Sequence, residues 1–294
     1  MALCLAFITR ALSAADVYVV ASSDAAPYLS AQDALQRKLE KAGYKVHRVE
    51  LKDFDESQSK KASSDPHTSF VAIGSDAAEA LHKRIAEPHP VIYCMVADPD
   101  GLGLNGGKSI YGVNTNVPIS AQTALIAQAL PRAHTIGLLL QSDNADDRRV
   151  CDSLKEALPA GWSVETIYAD QQKSVSKAID TLFDRKIDIV WTTPDSTVFD
   201  QATLRSLLLT SLRRKIPVFG YSQGLVKAGA LFGVCIDPQT QGEQAAALLD
   251  RVRKGQKENM SPEYDIAVNL NVAERMSINL SDSVIGRAKV IIRK

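Results

Sequence analysis

Five short polar groups in this sequence stand where a small molecule could be held: Ser22-Ser23-Asp24, Gly74-Ser75-Asp76, Ser142-Asp143, Asp195-Ser196-Thr197 and Tyr221-Ser222-Gln223. Each closes a run of apolar, often β-branched residues and precedes a run compatible with a helix. Hydroxyls, a carboxylate and unpaired backbone N–H groups in such turns orient and hold a polar ligand. That is the chemistry of reversible binding. The stretch from Ile187 to Asp200 shows the pattern most fully: Ile187, Ile189, Val190, Trp191 and Thr192 make a buried strand, and Pro194 stops it. Asp195 or Ser196 then caps the helix expected to follow, whose first N–H groups point out of the carboxyl edge of the sheet. Open α/β sheets bind their ligands at that edge.

Helix capping explains the same residues without any ligand. Ser23, Asp76, Asp143 and Ser196 are ordinary caps one by one, and only their repeated position at a strand end raises the binding reading. Tyr18, Tyr44, Tyr93 and Trp191 fall inside strand patterns and are expected in the core.

The elements that would carry these turns alternate strand and helix along the chain, which predicts α/β architecture with parallel sheets. Phe70 to Pro99 and Ile189 to Gln223 repeat one arrangement of strand, helix and strand, so two similar doubly wound lobes are expected. A length of 294 residues suits two such domains. The expected division is residues 16–115 with 238–260 in one lobe and 116–237 with 261–294 in the other. Crossovers fall near Asn114, Asp237 and Gln256. Phe54 to Asp65 reads as a polar loop with room for a short helix, and the glycine-rich run from Leu102 to Lys108 as a surface loop, since no phosphate-binding helix entry follows it.

Lysine plus arginine and aspartate plus glutamate balance at 34 each, which argues against a nucleic-acid or polybasic membrane surface. Residues 1–15, MALCLAFITRALSAA, are too short to span a bilayer and read as a shortened export signal. Cys94, Cys151 and Cys235 would then remain, too few for a paired framework, and the five histidines are scattered. No metal site, cofactor or catalytic Ser/His/Asp arrangement is expected. A transcription regulator's ligand-sensing half would need DNA-binding helices ahead of the first strand, where only the expected signal stands.

Four blocks carry a family likeness: FVAIGSDAAEAL from Phe70, VIYCMVADPDGLGL from Val91, DIVWTTPDSTVFD from Asp188, and the long block from Ile216 to Gly255. With them the chain resembles the substrate-binding proteins of a bacterial ABC importer family related to tryptophan and tyrosine uptake. The resemblance implies a type I periplasmic binding fold: two doubly wound parallel-sheet lobes, a multi-strand hinge and an inter-lobe cleft. It implies a monomer outside the cytoplasm that captures a small ligand, an amino acid of aromatic or branched type among the candidates. The ligand passes to a membrane permease and its ATPase, the only link to the membrane. A ligand-sensing receptor that reports to a membrane sensor is the open alternative.

In that reading Gly74 and Ser75 hold a carboxylate, and Asp195 takes an ammonium. Tyr28, Tyr221 and Phe199 cover an apolar side chain. Ser22, Ser23, Ser196, Thr197, Ser222 and Gln223 fix orientation. The family's Gly-Thr-Pro reads Gly74-Ser75-Asp76 here, and its Val-Thr-Asp-Pro reads Val96-Ala97-Asp98-Pro99, so Ala97 lacks a threonine hydroxyl beside Asp98.

Overall fold

A computed structural model describes residues 15–105, 109–194 and 198–293. The expected export signal, apart from Ala15, lies outside the described residues, as do Gly106 to Lys108 of the glycine-rich run and the turn residues Asp195, Ser196 and Thr197. The chain forms two compact units and passes between them three times: one unit runs to Asn116 and resumes over Pro238–Pro262, and the other holds Val117–Asp237 and the chain from Glu263 onward.

The first unit is built on strands β1 (Asp16–Ala21), β2 (Lys45–Glu50), β3 (Ser69–Ile73), β4 (Val91–Cys94) and β5 (Ile110–Gly112), in the order β2-β1-β3-β4-β5. All four pairings are parallel. Every residue of β3 and β4 is buried, as expected of central strands covered on both faces. Its helices are α1 (Ala26–Lys41), α2 (Glu56–Ala62), α3 (Ser75–Arg84) and, from the returning segment, the helix Pro238–Arg253. The returning helix packs on α1 backbone to backbone: a Cβ on Gly242 would lie 2.0 Å from the Ala31 carbonyl oxygen.

The second unit adds α4 (Ile119–Ala129), β6 (Thr135–Leu140), α5 (Ala145–Ala157), β7 (Ser163–Tyr168), α6 (Val175–Phe183), β8 (Ile189–Trp191), α7 (Gln201–Arg214), β9 (Val218–Gly220), α8 (Gln223–Ala228) and β10 (Phe232–Cys235). The helix Pro238–Arg253 is then α9 in chain order, followed by β11 (Asp265–Asn269), α10 (Leu270–Met276), α11 (Asp282–Arg287) and β12 (Val290–Ile292). The sheet order is β12-β11-β10-β9-β8-β6-β7, parallel throughout except where β11 runs against β10. Counted from its own first strand, each unit begins with the order 2-1-3-4-5. The two segments that repeat in the sequence supply the third strand, its helix and the fourth strand of their respective sheets. The α/β architecture with two parallel-dominated sheets is thus as the sequence predicts.

The polar stretch after Phe54 contains the short helix for which the sequence leaves room, α2, because the Asp55 carboxylate accepts from Gln58 N at 2.8 Å and caps it. One local reading needs correction. The helix after β8 does not start at Asp195 or Ser196. It starts at Gln201, where the Asp200 carboxylate accepts from Thr203 N at 2.7 Å. Val198 and Phe199 ahead of it are buried in the core.

Candidate functional site

At the carboxyl edge of the first sheet the order β1 beside β3 creates a topological switch point, where the chain leaves neighbouring strands in opposite directions. Ser22 follows β1 and its N–H donates to the Ile73 carbonyl at 2.9 Å. Its hydroxyl oxygen accepts from Ala77 N at 2.9 Å, so it caps α3 from the adjacent strand. The cap must come from elsewhere because the N-cap residue is Gly74, which has no side chain. Gly74 sits at φ 94°, ψ 164°, a conformation available essentially only to glycine. A Cβ there would stand 2.6 Å from Ser22 Oγ and 2.9 Å from Tyr28 Cζ. Glycine therefore lets Ser22, Tyr28 and the start of α3 converge.

With Ala77 N occupied, the N–H groups of Ser75 and Asp76 are left without partners among the described residues, as are the Ser75 and Tyr28 hydroxyls. Two free N–H donors at the positive end of a ten-residue helix suit a carboxylate. Ser23 is exposed and its hydroxyl oxygen accepts from Ala25 N at 3.3 Å. Ala97 and Asp98 follow β4 and are exposed. Asp98 Oδ1 accepts from Gly101 N at 2.9 Å, closing the turn. Just before them Met95 adopts φ 59°, and its N–H donates to the buried Gln241 side chain at 3.3 Å, which also donates to Asn114 O at 3.1 Å.

The carboxyl edge of the second sheet carries the other expected residues. After β8, Thr192 donates its hydroxyl to Phe219 O at 2.8 Å. Thr193 is 7% exposed and its hydroxyl has no partner among the described residues. Sequence reasoning missed Thr193, although a hydroxyl pair at a strand end was the available signal. Phe199, expected over a ligand, is 4% exposed and packs in the core with Val198 and Leu207, so it is not available for that role. Tyr221 is half-buried, which raises its hydroxyl pKa. Ser222 accepts from Leu225 N at 3.2 Å and caps α8, whose first residue is Gln223.

A Gly-x-Ser-x-Gly motif is not expected from the sequence reading, yet Gly220-Tyr221-Ser222-Gln223-Gly224 fits that spelling of a nucleophile turn, so the expectation needs correction. The geometry is that of a cap: Ser222 is extended at φ −151°, ψ 156°, with no strain. His134, in the same unit, follows Ala133 ahead of β6 and its ring Nδ1 lies 3.0 Å from Arg132 O. That is the amino edge of the sheet, opposite the Ser222 turn. Cys94, Cys151 and Cys235 are free and buried. Among the described residues no cluster of three His, Cys, Asp or Glu side chains could hold a metal ion, and no helix is long and apolar enough to cross a membrane.

Two α/β units with polar strand ends and free helix-terminal donors belong to the class of proteins that bind solutes. The family described as ABC transporter substrate binding protein matches residues 15–292, and this chain belongs to that family, a family of binding proteins and not of enzymes. The chain is similar to a tyrosine-binding protein of Clostridioides difficile (strain R20291), 25% identical over 234 residues that cover 74% of this chain and 67% of the relative. Among solved structures it is similar to the ABC domain in complex with L-Trp from Streptococcus pneumonia, at 23% identity and a TM-score of 0.61 over 95% of this chain and all of that one. A ligand-free, open substrate binding protein with adhesive properties from Clostridium difficile gives a TM-score of 0.76 at 20% identity, over 95% and 99% of the two chains. These structures share the type I periplasmic binding fold with this chain.

Proposed function

We propose that this protein is the solute-capturing component of an ABC importer, exported from the cytoplasm, and that its ligand is an amino acid with an aromatic or branched side chain. The observation behind the proposal is the start of α3, where, among the described residues, the Ser75 and Asp76 N–H groups and the hydroxyls of Ser75 and Tyr28 have no partner. That set fits an α-carboxylate. Asp195 supplies the opposite charge for the ammonium, with Ser196 and Thr197 beside it. Tyr28 and Tyr221 offer ring faces for a flat side chain, and Gln223 and Thr193 offer neutral polar contacts.

The tyrosine-binding relative and the neighbour with L-Trp bound both support an aromatic amino acid. Ligand bound between lobes of residues 16–115 with 238–260 and 116–237 with 261–294 favours a closed form in proportion to its tighter binding there, and the closed monomer docks on a permease. Ala97 in place of the family's threonine removes one donor and makes the pocket less demanding of polar groups.

A thermal-shift screen against the amino acids tests this reading. A ligand present at 100 times its Kd adds about 2.7 kcal/mol to stability, a shift easily read. Tyrosine or tryptophan should raise the melting temperature, and Asp195→Ala should abolish the rise. A folded protein that responds to no amino acid refutes the ligand class, and a response that survives Asp195→Ala refutes the ammonium contact.

A further inference from the structure

The second unit has a groove that shares only Tyr221 with the proposed amino-acid site. It is a cavity of about 720 Å³, within the ~300–1,000 Å³ usual for small-molecule sites. One wall is α7, which carries apolar residues on two sides. The face it buries carries Thr203, Thr210 and Ser211 beside a single leucine, Leu207. Leu204, Leu208 and Leu212 line the groove with the part of each side chain that is not packed against the core, and Leu209 is 54% exposed. Residues 204, 208 and 212 recur every four positions, so they form one ridge about 12 Å long.

The opposite wall is apolar as well, made by Leu225, Val272 and Ile292. Three cations complete the lining: Arg205 on α7, Lys227 on α8 and Arg275 on α10. Among the described residues no aspartate or glutamate lines the groove. None of the three cations has an ion pair or hydrogen bond among the described residues.

An apolar channel with unpaired positive charge at its walls selects against the obvious occupants. A zwitterionic amino acid would find no carboxylate for its ammonium. A second copy related by a two-fold axis would set these cations against their own images, with no acidic group to offset them. The complementary molecule is apolar along one axis and carries a single negative head.

We propose that this groove binds an amphiphilic anion, a medium-length alkyl carboxylate, with its chain along the Leu204-Leu208-Leu212 ridge and its head group at Arg205, Lys227 and Arg275. Tyr221 and Ser222 form part of the same lining. The occupant therefore touches the turn after β9.

Isothermal titration of the full chain with decanoate, below its micelle-forming concentration, tests the site. Saturable binding at one equivalent is expected. Decanol, which lacks the charge, and butyrate, which lacks the chain, should each bind at least tenfold more weakly. Arg275→Gln and Leu209→Gln change exposed side chains and keep the fold; each should weaken decanoate at least tenfold while leaving the thermal shift by an amino acid unchanged. Absence of saturable decanoate binding overturns the proposal, as does equal binding of decanol. Unchanged affinity in both variants overturns it too, because the anion would then sit elsewhere. Binding of anionic phospholipid vesicles or of an acidic helical peptide without decanoate binding would assign the groove to a macromolecular surface and also overturn it.

Discussion

Replacing Gly74 with alanine tests the geometry on which the first carboxyl edge depends. Two costs can be worked from the structure. At φ 94°, ψ 164° a non-glycine residue is strained by about 1–3 kcal/mol. The added methyl would also stand 2.6 Å from Ser22 Oγ and 2.9 Å from Tyr28 Cζ, and overpacking of that kind costs about 1–3 kcal/mol more. The expected destabilisation is therefore about 2–6 kcal/mol. Gly43→Ala is the control, since Gly43 also has positive φ, at 89°, but nothing lies within 4 Å of where its Cβ would stand. It should show the backbone cost alone. Urea denaturation followed by circular dichroism gives the two stabilities, and hydrogen exchange of the β3–α3 segment locates the damage. If Gly74→Ala matches Gly43→Ala to within about 0.5 kcal/mol, the contact with Ser22 and Tyr28 contributes nothing and glycine is not what lets them converge.

Gly242→Ala should prevent α9 from seating on α1, because the obstacle is a backbone carbonyl at 2.0 Å that cannot swing aside; loss of cooperative folding of the first unit in a thermal melt is expected, and a melt like wild type would refute it. Asp170 receives the Ser142 hydroxyl and, at 2.8 Å, the Ser142 N–H, and these bonds hold its carboxyl below the ordinary 3.8. Its contribution is thus present above pH 3.8 and fades as pH falls through the lower folded value, so Asp170→Asn should destabilise at pH 7 and differ progressively less below pH 3.8 in urea titrations. Burial pushes the Cys94 thiol up to about 12 and Cys235 to about 11, so native protein at pH 8 should leave both unlabelled by iodoacetamide, with full labelling after denaturation, as read by peptide mass spectrometry. Ser22→Ala should cost about 0.5–2 kcal/mol as a lost cap, whereas Ser75→Ala should leave stability within ~0.5 kcal/mol and weaken the amino-acid thermal shift; the reverse pattern would exchange their roles.

Strand and helix order was legible because β3 and β4 are continuous apolar runs bounded by polar turns, and the internal repeat marked equivalent positions in two sheets. The antiparallel step of β11 was not, since nothing in its residues distinguishes a reversed edge strand from a parallel one. The start of α7 was misplaced for a definite reason. Asp195-Ser196 and Asp200 are both acceptable caps by residue type, and the choice fell to Val198 and Phe199, whose burial in the core fixes the chain between them. Phe199 was read as a ligand platform on its aromatic character, but aromatic character does not say which way a side chain faces. Thr193 adjoins a proline turn in which Asp195 is the more obvious ligand contact by residue type. That Leu204, Leu208 and Leu212 of α7 also line a groove is not legible without knowing which elements meet the helix.

Capping and binding compete for the same residue types, and the structure separates them by what is already satisfied. Ser22, Ser222 and Asp200 each accept a helix N–H and have their oxygens committed to the fold. Asp98 is committed to its own turn. The Ser75 and Tyr28 hydroxyls, the two free N–H groups of α3 and the buried Thr193 hydroxyl are not, among the described residues. A buried hydroxyl without a partner costs stability, on the order of 1–3 kcal/mol, unless a ligand or water supplies the missing bond. At the start of α3 the cap comes from Ser22 after β1, which leaves Ser75 outside the capping contact. The Asp55 carboxylate likewise is committed to the cap of α2.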